Sequence, residues 1–243
     1  MINTFLFDLD GTILPLDWSV FEKEYFKKLS VKLSDHFKPQ ELIKYVWDST
    51  AKMIGNTGGI KTNKQVFFES FYASTGKDIE AIYPLFDDFY LNEFNELKNF
   101  CKTDINMINT INILKERGYE IVVATNPIFP MTAVEARIGW AGIDKGIFKY
   151  ITCFEKMHYC KPNIEFYNEV LEVIGKKPEE CIMIGNDVEE DIIASKLGIK
   201  TYLVENYMIN RSGNEFYSDF RGTYKDLYEF IISNFSCLNY KTL

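Results

Sequence analysis

The chain is poor in the residues that build soft-metal and disulfide sites. It has two histidines, His36 and His158, and five cysteines, at 101, 153, 160, 181 and 237, in 243 residues. Two histidines so far apart do not suggest a zinc site. The cysteine count is odd and no pair has C-x-x-C spacing, so reduced thiols in a cytoplasmic protein fit better than a disulfide framework. Positive charge is also scarce. The net charge is −8, which argues against nucleic acid or an anionic membrane as partner. No apolar run approaches the roughly 18 residues of a membrane span. The apolar N-terminus is interrupted at Asp8, so no signal peptide is expected. No G-x-G-x-x-G follows the first apolar segment, which argues against a dinucleotide-dependent dehydrogenase. Internal repeats and low-complexity tracts are absent. What is present is 47% hydrophobic and 26% charged, enough for one large core or a core with a smaller second domain.

The most informative stretch is Phe5-Leu6-Phe7-Asp8-Leu9-Asp10-Gly11-Thr12. An apolar run suited to a buried strand ends in two carboxylates at i and i+2, which share one side of an extended chain. Such a pair repels unless a cation or a shared proton relieves it. A divalent metal site with one carboxylate free to react explains the pattern. A solvated Asp-x-Asp-Gly turn is the plainer alternative.

Two textures follow. From about Pro15 to Phe100 the chain reads as helices rich in aromatic residues, Lys and Glu, over Glu22–Leu33, Gln40–Met53, a third opened by Thr62-Asn63-Lys64-Gln65, and Asp78–Leu97 with Pro84 inside. The T-x-x-Q run matches a capping box. Four helices with short links suggest a bundle. After Lys102 helices and strands alternate. Strands are expected at Glu120–Thr125, Lys149–Phe154, Cys181–Gly185 and Lys200–Val204, with helices at Asp104–Arg117, Met131–Ile138, Asn163–Ile174, Glu189–Leu197 and Thr223–Phe235. This alternation implies a doubly wound parallel α/β sheet with helices on both sides. The first strand, Asn3–Leu9, belongs to that sheet. The expected organisation is a core of residues 1–14 and 102–243 with a helical domain, 15–101, inserted in it.

Ligands of such sheets bind beyond the carboxyl ends of the strands. Those ends carry Asp8, Asp10 and Thr12, then Thr125 and Asn126, then Lys161-Pro162, then Asn186, Asp187 and Asp191. Carboxylates, hydroxyls and one ammonium are the inventory for holding a divalent cation and a phosphoryl group together.

With these four motifs in order, the chain resembles the haloacid dehalogenase-like hydrolase superfamily over residues 1 to about 205. The helical insertion resembles the family's helical cap by position and texture. The resemblance implies that Asp8 is a nucleophile forming an aspartyl-phosphate, and that Asp10 is the general acid and base. It implies that Thr12, Thr125 and Asn126 support or bind the phosphoryl group and that Lys161 pairs with it and with Asp8. It also implies Mg²⁺ held by Asp8, the Asp10 carbonyl and the acidic cluster. Many relatives carry Asp directly after the glycine, where this chain has Asn186. Either Asp187 is the metal ligand, with Asp191 supporting, or Asn186 holds that place with less charge. A carboxylate at position 10 favours phosphoester chemistry over dehalogenation, because a halide needs no proton on leaving. The expected activity is hydrolysis of a small soluble phosphomonoester by a monomer or homodimer. A phosphomutase and a catalytically weak regulatory or binding member are the alternatives. Hinges are expected near Ile13–Asp17 and Phe100–Asp104, and the Gly55–Lys61 loop is a candidate to reach the site.

Overall fold

The computed structural model describes residues 1–238. Residues 239–243 of the expected core segment lie outside the described residues. The strands are β1 (Thr4–Phe7), β2 (Glu120–Val123), β3 (Tyr150–Ile151), β4 (Cys181–Gly185), β5 (Lys200–Val204) and β6 (Phe220–Gly222). They form one sheet in the order β3-β2-β1-β4-β5-β6, with every pairing parallel. The helices are α1 (Trp18–Lys32), α2 (Pro39–Ile54), α3 (Asn63–Thr75), α4 (Ile79–Leu91), α5 (Ile105–Glu116), α6 (Met131–Trp140), α7 (Ile164–Ile174) and α8 (Tyr224–Asn234).

Successive strand residues point to opposite faces, and both faces are covered. Phe5, Phe7, Ile182 and Ile184 pack with Ile111 of α5 and Leu227 of α8 in one apolar cluster. Leu6, Val122 and Met183 pack with Phe166 and Val170 of α7 in another. The doubly wound α/β arrangement expected from the sequence is therefore present. Its register sets the site: Phe7 lies opposite Val123 on one side and Ile184 on the other. The three strands thus end side by side, delivering Asp8, Thr125 and Asn186 to one rim.

Between β1 and α5 the chain forms α1 to α4. The capping box is present at α3, with the Gln65 amide N–H donating to Thr62 Oγ1 at 3.4 Å and the Thr62 N–H donating to Gln65 Oε1 at 2.9 Å. Asp17 caps α1 through the amides of Ser19 and Val20. Helix α1 packs on α2 and α4, and α2 on α3. Their aromatic core continues into the rest of the molecule. Tyr25, Tyr90 and Phe94 meet the Phe129 ring, and Phe94 lies 5.2 Å from Trp140 of α6. The two chain crossings into this segment run together, with Leu16 bridged to Cys101 and the Lys102 N–H donating to the Pro15 carbonyl at 2.9 Å.

Four local expectations need correction. Asp78–Leu97 is not one helix: α4 stops at Leu91 and a 3₁₀ segment runs over Glu93–Phe100. Asn92 makes the break, because its side chain bonds back to the Asp88 carbonyl and carboxylate instead of continuing the helix. Lys149–Phe154 shortens to the two residues of β3, since Phe154 turns to donate to the Phe129 carbonyl. Glu189–Leu197 becomes a 3₁₀ segment over Ile192–Leu197, because Asp187 captures the Glu189 and Glu190 amides in a tight turn. Strand β6 was not expected: it is three residues long, and two of them are exposed.

Candidate active site

The rim beyond β1, β2 and β4 gathers the residues singled out in the sequence. Lys161 is fully buried, and its ammonium donates to Asp8 Oδ1 at 3.0 Å and to Asp191 Oδ1 at 2.5 Å. The loop holding it is tied to the β2 end, where Asn126 Oδ1 accepts from the Lys161 N–H at 3.2 Å. The Lys161–Pro162 peptide is cis. Asp191 is also fully buried, and its second oxygen accepts from the Asp187 N–H at 2.9 Å. A buried cation thus lies between two carboxylates from opposite ends of the chain. Burial lowers the Lys161 pKa, but the charges of Asp191 and Asp8 outweigh it and the net result is well above the ordinary lysine value. Burial pushes the Asp8 carboxyl well above its usual range; Lys161 opposes this, while Asp191 and Asp10 add to it.

Gly185 and Gly11 make this packing possible. A Cβ on Gly185 would lie 2.1 Å from Asp191 Oδ2. Gly185→Ala is therefore expected to displace Asp191 and cost about 1–3 kcal/mol, measured by thermal melting. Gly11 has φ +84°, and a Cβ there would meet the Asn186 amide at 2.3 Å. That amide is well occupied: Oδ1 accepts from the Thr12 hydroxyl at 3.0 Å and Nδ2 donates to the Tyr207 carbonyl at 2.6 Å.

A cavity of about 420 Å³ opens over this rim. Asp8, Asp10, Thr125, Asn126, Asn186 and Asp187 line it, whereas Lys161, Asp191 and Thr12 sit behind that lining. Its other wall comes from the helices, through Trp18, Glu22, Trp47, Thr50 and Ile54. The Gly55–Lys61 loop does not supply that wall. Its neighbours bind the segment before α7, through the Asn63 N–H to the Met157 carbonyl at 2.8 Å and Asn163 Nδ2 to the Ile54 carbonyl at 2.7 Å.

Several participants carry no clear sequence signal. Arg137, fully buried on α6, pairs with Asp10 Oδ2 and lies 4.4 Å over the Phe129 ring. A lone arginine in the apolar run of α6 is the one hint. Asp10 Oδ1 and Arg137 Nη2 are buried with no hydrogen-bond partner among the described residues. Burial raises the Asp10 pKa, and the Arg137 charge limits the rise. Arg211, in the loop after β5, pairs with Asp187 Oδ2 at 2.6 Å. Burial, with the charge of Asp191, raises the Asp187 pKa. Glu190 accepts from Asn126 Nδ2 at 3.1 Å, and burial followed by the Asp187 charge pushes its carboxyl up to about 7.

The donor set suits a hard divalent cation. Asp8 and Asp187 line one cavity, with the Asn186 amide beside them; Asp187 accepts the Glu189 and Glu190 amides through Oδ1 and pairs with Arg211 through Oδ2, so a metal ion bound to Oδ2 would take the place of Arg211. Among the described residues no three or more His, Cys, Asp or Glu side chains form a ready cage. Mg²⁺ needs none, because it commonly takes one or two carboxylates and completes its shell with water and substrate phosphate. A second cation beside Lys161 would also hold Asp8 ionised against its burial.

A doubly wound α/β sheet with its polar rim at the carboxyl ends of the strands places the chain in a broad class of ligand-binding and hydrolytic folds. The comparisons with known proteins narrow it. The family of haloacid dehalogenase-like hydrolases matches residues 2–197, and the chain belongs to that family. It is 23% identical over 216 residues to pyrophosphatase PpaX of Bacillus mycoides (strain KBAB4), covering 89% of each chain. A HAD phosphatase from Thermococcus onnurineus shares the fold at a TM-score of 0.57 and 20% identity, over 98% of this chain and 100% of that one. L-2-haloacid dehalogenase from Xanthobacter autotrophicus shares it at 0.57 and 15%, over 97% and 100%. Among the described residues no helix is long and apolar enough to cross a membrane.

Proposed function

We propose that this hydrolase is a Mg²⁺-dependent phosphatase acting on a small soluble phosphomonoester through an aspartyl-phosphate on Asp8. The observation that carries this reading is the buried Asp8–Lys161–Asp191 arrangement beneath a cavity that also holds Asp10. A halide would leave without a proton; an alkoxide would not, and Asp10 is the acid in reach of the same space. The HAD phosphatase and pyrophosphatase among the similar proteins agree with phosphorus chemistry.

In this reading Asp8 attacks phosphorus, and Lys161 neutralises the charge that spreads onto the phosphoryl oxygens. Thr125 donates its hydroxyl to the same group. Asp10 protonates the leaving oxygen as its bond to phosphorus breaks, then takes a proton from the water that attacks the aspartyl-phosphate, releasing phosphate and the Asp8 carboxylate. Arg137 holds the Asp10 carboxyl in place through one oxygen. Asp8, the Asp10 carbonyl and Asp187 would hold Mg²⁺, which when bound would supply Lewis-acid neutralisation of the phosphoryl oxygens. Asn186, already engaged by Thr12 and Tyr207, fixes the loop after β1, and Asp191 holds Lys161. Residues 15–101 form a cap over a core of residues 1–14 and 102 onward, with the paired strips near Leu16 and Cys101 as its hinge.

The test is hydrolysis of p-nitrophenyl phosphate by protein stripped with EDTA and then reconstituted. Hydrolysis is expected only after Mg²⁺ is restored, with no chloride released from 2-chloropropionate. Equal rates with and without the metal, or chloride release in place of phosphate release, would contradict the assignment.

A further inference from the structure

We infer that the helical wall of the active-site cavity is a subsite for a positively charged head group, so that the substrate class is the phosphomonoester of an amino alcohol. This rests on the phosphatase reading and narrows it.

The cavity has two chemically different ends. The strand rim supplies the polar groups described above. The opposite wall is made by Trp18, Trp47, Phe129, Thr50 and Glu22. No lysine or arginine comes to the cavity from the helices. Arg211 is the one cation in the described lining, and Asp187 already engages it. Glu22 has no hydrogen-bond or ion-pair partner among the described residues, whereas Glu24, two residues on, is paired with Lys27 at 3.2 Å. Glu22 also borders an adjoining aromatic cavity lined by Phe21, Tyr25, Phe26 and Tyr90.

An unpaired carboxylate in a cavity lined by aromatic residues attracts a cation in two ways. Its charge acts through a medium less polar than bulk water. The ring faces add their own attraction for ammonium groups. The same wall repels anions. Inorganic pyrophosphate or phosphoglycolate, with its phosphoryl group at Asp8, would press a second negative charge toward Glu22 with no helical cation to receive it. Selection against a wrong charge is as much a part of specificity as attraction of the right one.

The test compares 2-aminoethyl phosphate, propyl phosphate and phosphoglycolate, which are close in size and differ in charge. The wild-type protein should prefer the amino ester over the propyl ester by about tenfold in kcat/KM, with phosphoglycolate slowest. In Glu22→Gln the amino-to-propyl ratio should fall to near one. In Glu22→Lys the order of amino ester and phosphoglycolate should reverse. Ratios within one protein are indifferent to any loss of folded enzyme. A wild-type preference for propyl phosphate or phosphoglycolate, or a ratio unchanged in Glu22→Gln, overturns the proposal. Turnover of p-nitrophenyl phosphate reads the phosphatase assignment separately. Should that turnover be absent, quenching of tryptophan fluorescence in Asp8→Asn by the amino and propyl esters still decides the charge preference. Tighter binding of the amino ester, lost when Glu22→Gln is added, supports it, and equal binding overturns it.

Discussion

Replacing Lys161 by methionine is expected to destabilise the protein by about 3–5 kcal/mol, because it leaves buried carboxylates without their cation. Methionine keeps most of the length and apolar volume, so packing alone predicts a small change. The charge is what matters: the ammonium is fully buried and bonds both Asp8 and Asp191. Once it is lost, the influence that opposes the rise of the Asp8 pKa is lost with it. A carboxyl with a raised folded pKa contributes stability below its unfolded pKa and loses it as pH rises through the folded value. The deficit of the variant should therefore be largest near neutrality and above, and shrink as pH falls toward 4 or so, the ordinary carboxylate range. Urea melts of both proteins across this range measure it. Equal midpoints at pH 8 would show that the ammonium is not compensating the carboxylates. Hydrolysis should fall by about 10²–10³-fold as well, the typical cost of removing one charge-stabilising donor. Arginine should not restore it, because the fully buried ammonium is a compact charge bonded to two carboxylates, and a longer planar guanidinium presents its donors in a different geometry.

Asp8→Asn is expected to remove turnover almost entirely, by at least about 10⁴-fold in kcat, the scale of loss when a covalent enzyme loses its nucleophile. The fold should survive, and the melting temperature should hold or rise. Burial disfavours the Asp8 charge, and Asp10 and Asp191 disfavour it further. An amide of the same shape removes that repulsion and still accepts from Lys161. Loss of activity together with equal or greater stability is the signature of a functional residue held against its own preference. A large fall in stability, or residual turnover within tenfold of wild type, would assign Asp8 a structural part instead.

Strands β1, β2, β4 and β5 were legible because each is a short, largely apolar run, mostly buried and followed by polar residues. Phe5 to Phe7 and Ile182 to Ile184 left little choice. The aromatic stripes of the helices were equally readable, as was the Thr62–Gln65 cap. Breaks set by side chains were not readable from periodicity. Asn92 ends α4 through its own bonds to Asp88, and Asp187 tightens the chain after β4 by collecting two amides. Strand β6 escaped because pairing with β5, rather than hydrophobicity, defines it.

For the candidate site, the residues at strand ends were visible because topology brings such ends together. Partners reaching in from elsewhere were not. Arg137 meets Asp10 from a helix 127 residues away in sequence, and Arg211 meets Asp187 from an irregular loop. Glu22, Trp18 and Trp47 are ordinary amphipathic-helix residues until the chain folds over the rim. Long-range placement, and not residue type, brings each of them to the rim.

The most direct measurement is where the phosphoryl group goes. Wild-type protein mixed with a ³²P-labelled phosphomonoester and Mg²⁺ and quenched in acid within the first turnover should carry the label on the peptide containing Asp8, as an acyl phosphate released by hydroxylamine. Asp8→Asn should carry none. Label on another residue, or phosphate released during that turnover with no labelled protein at any quench time, would contradict the account.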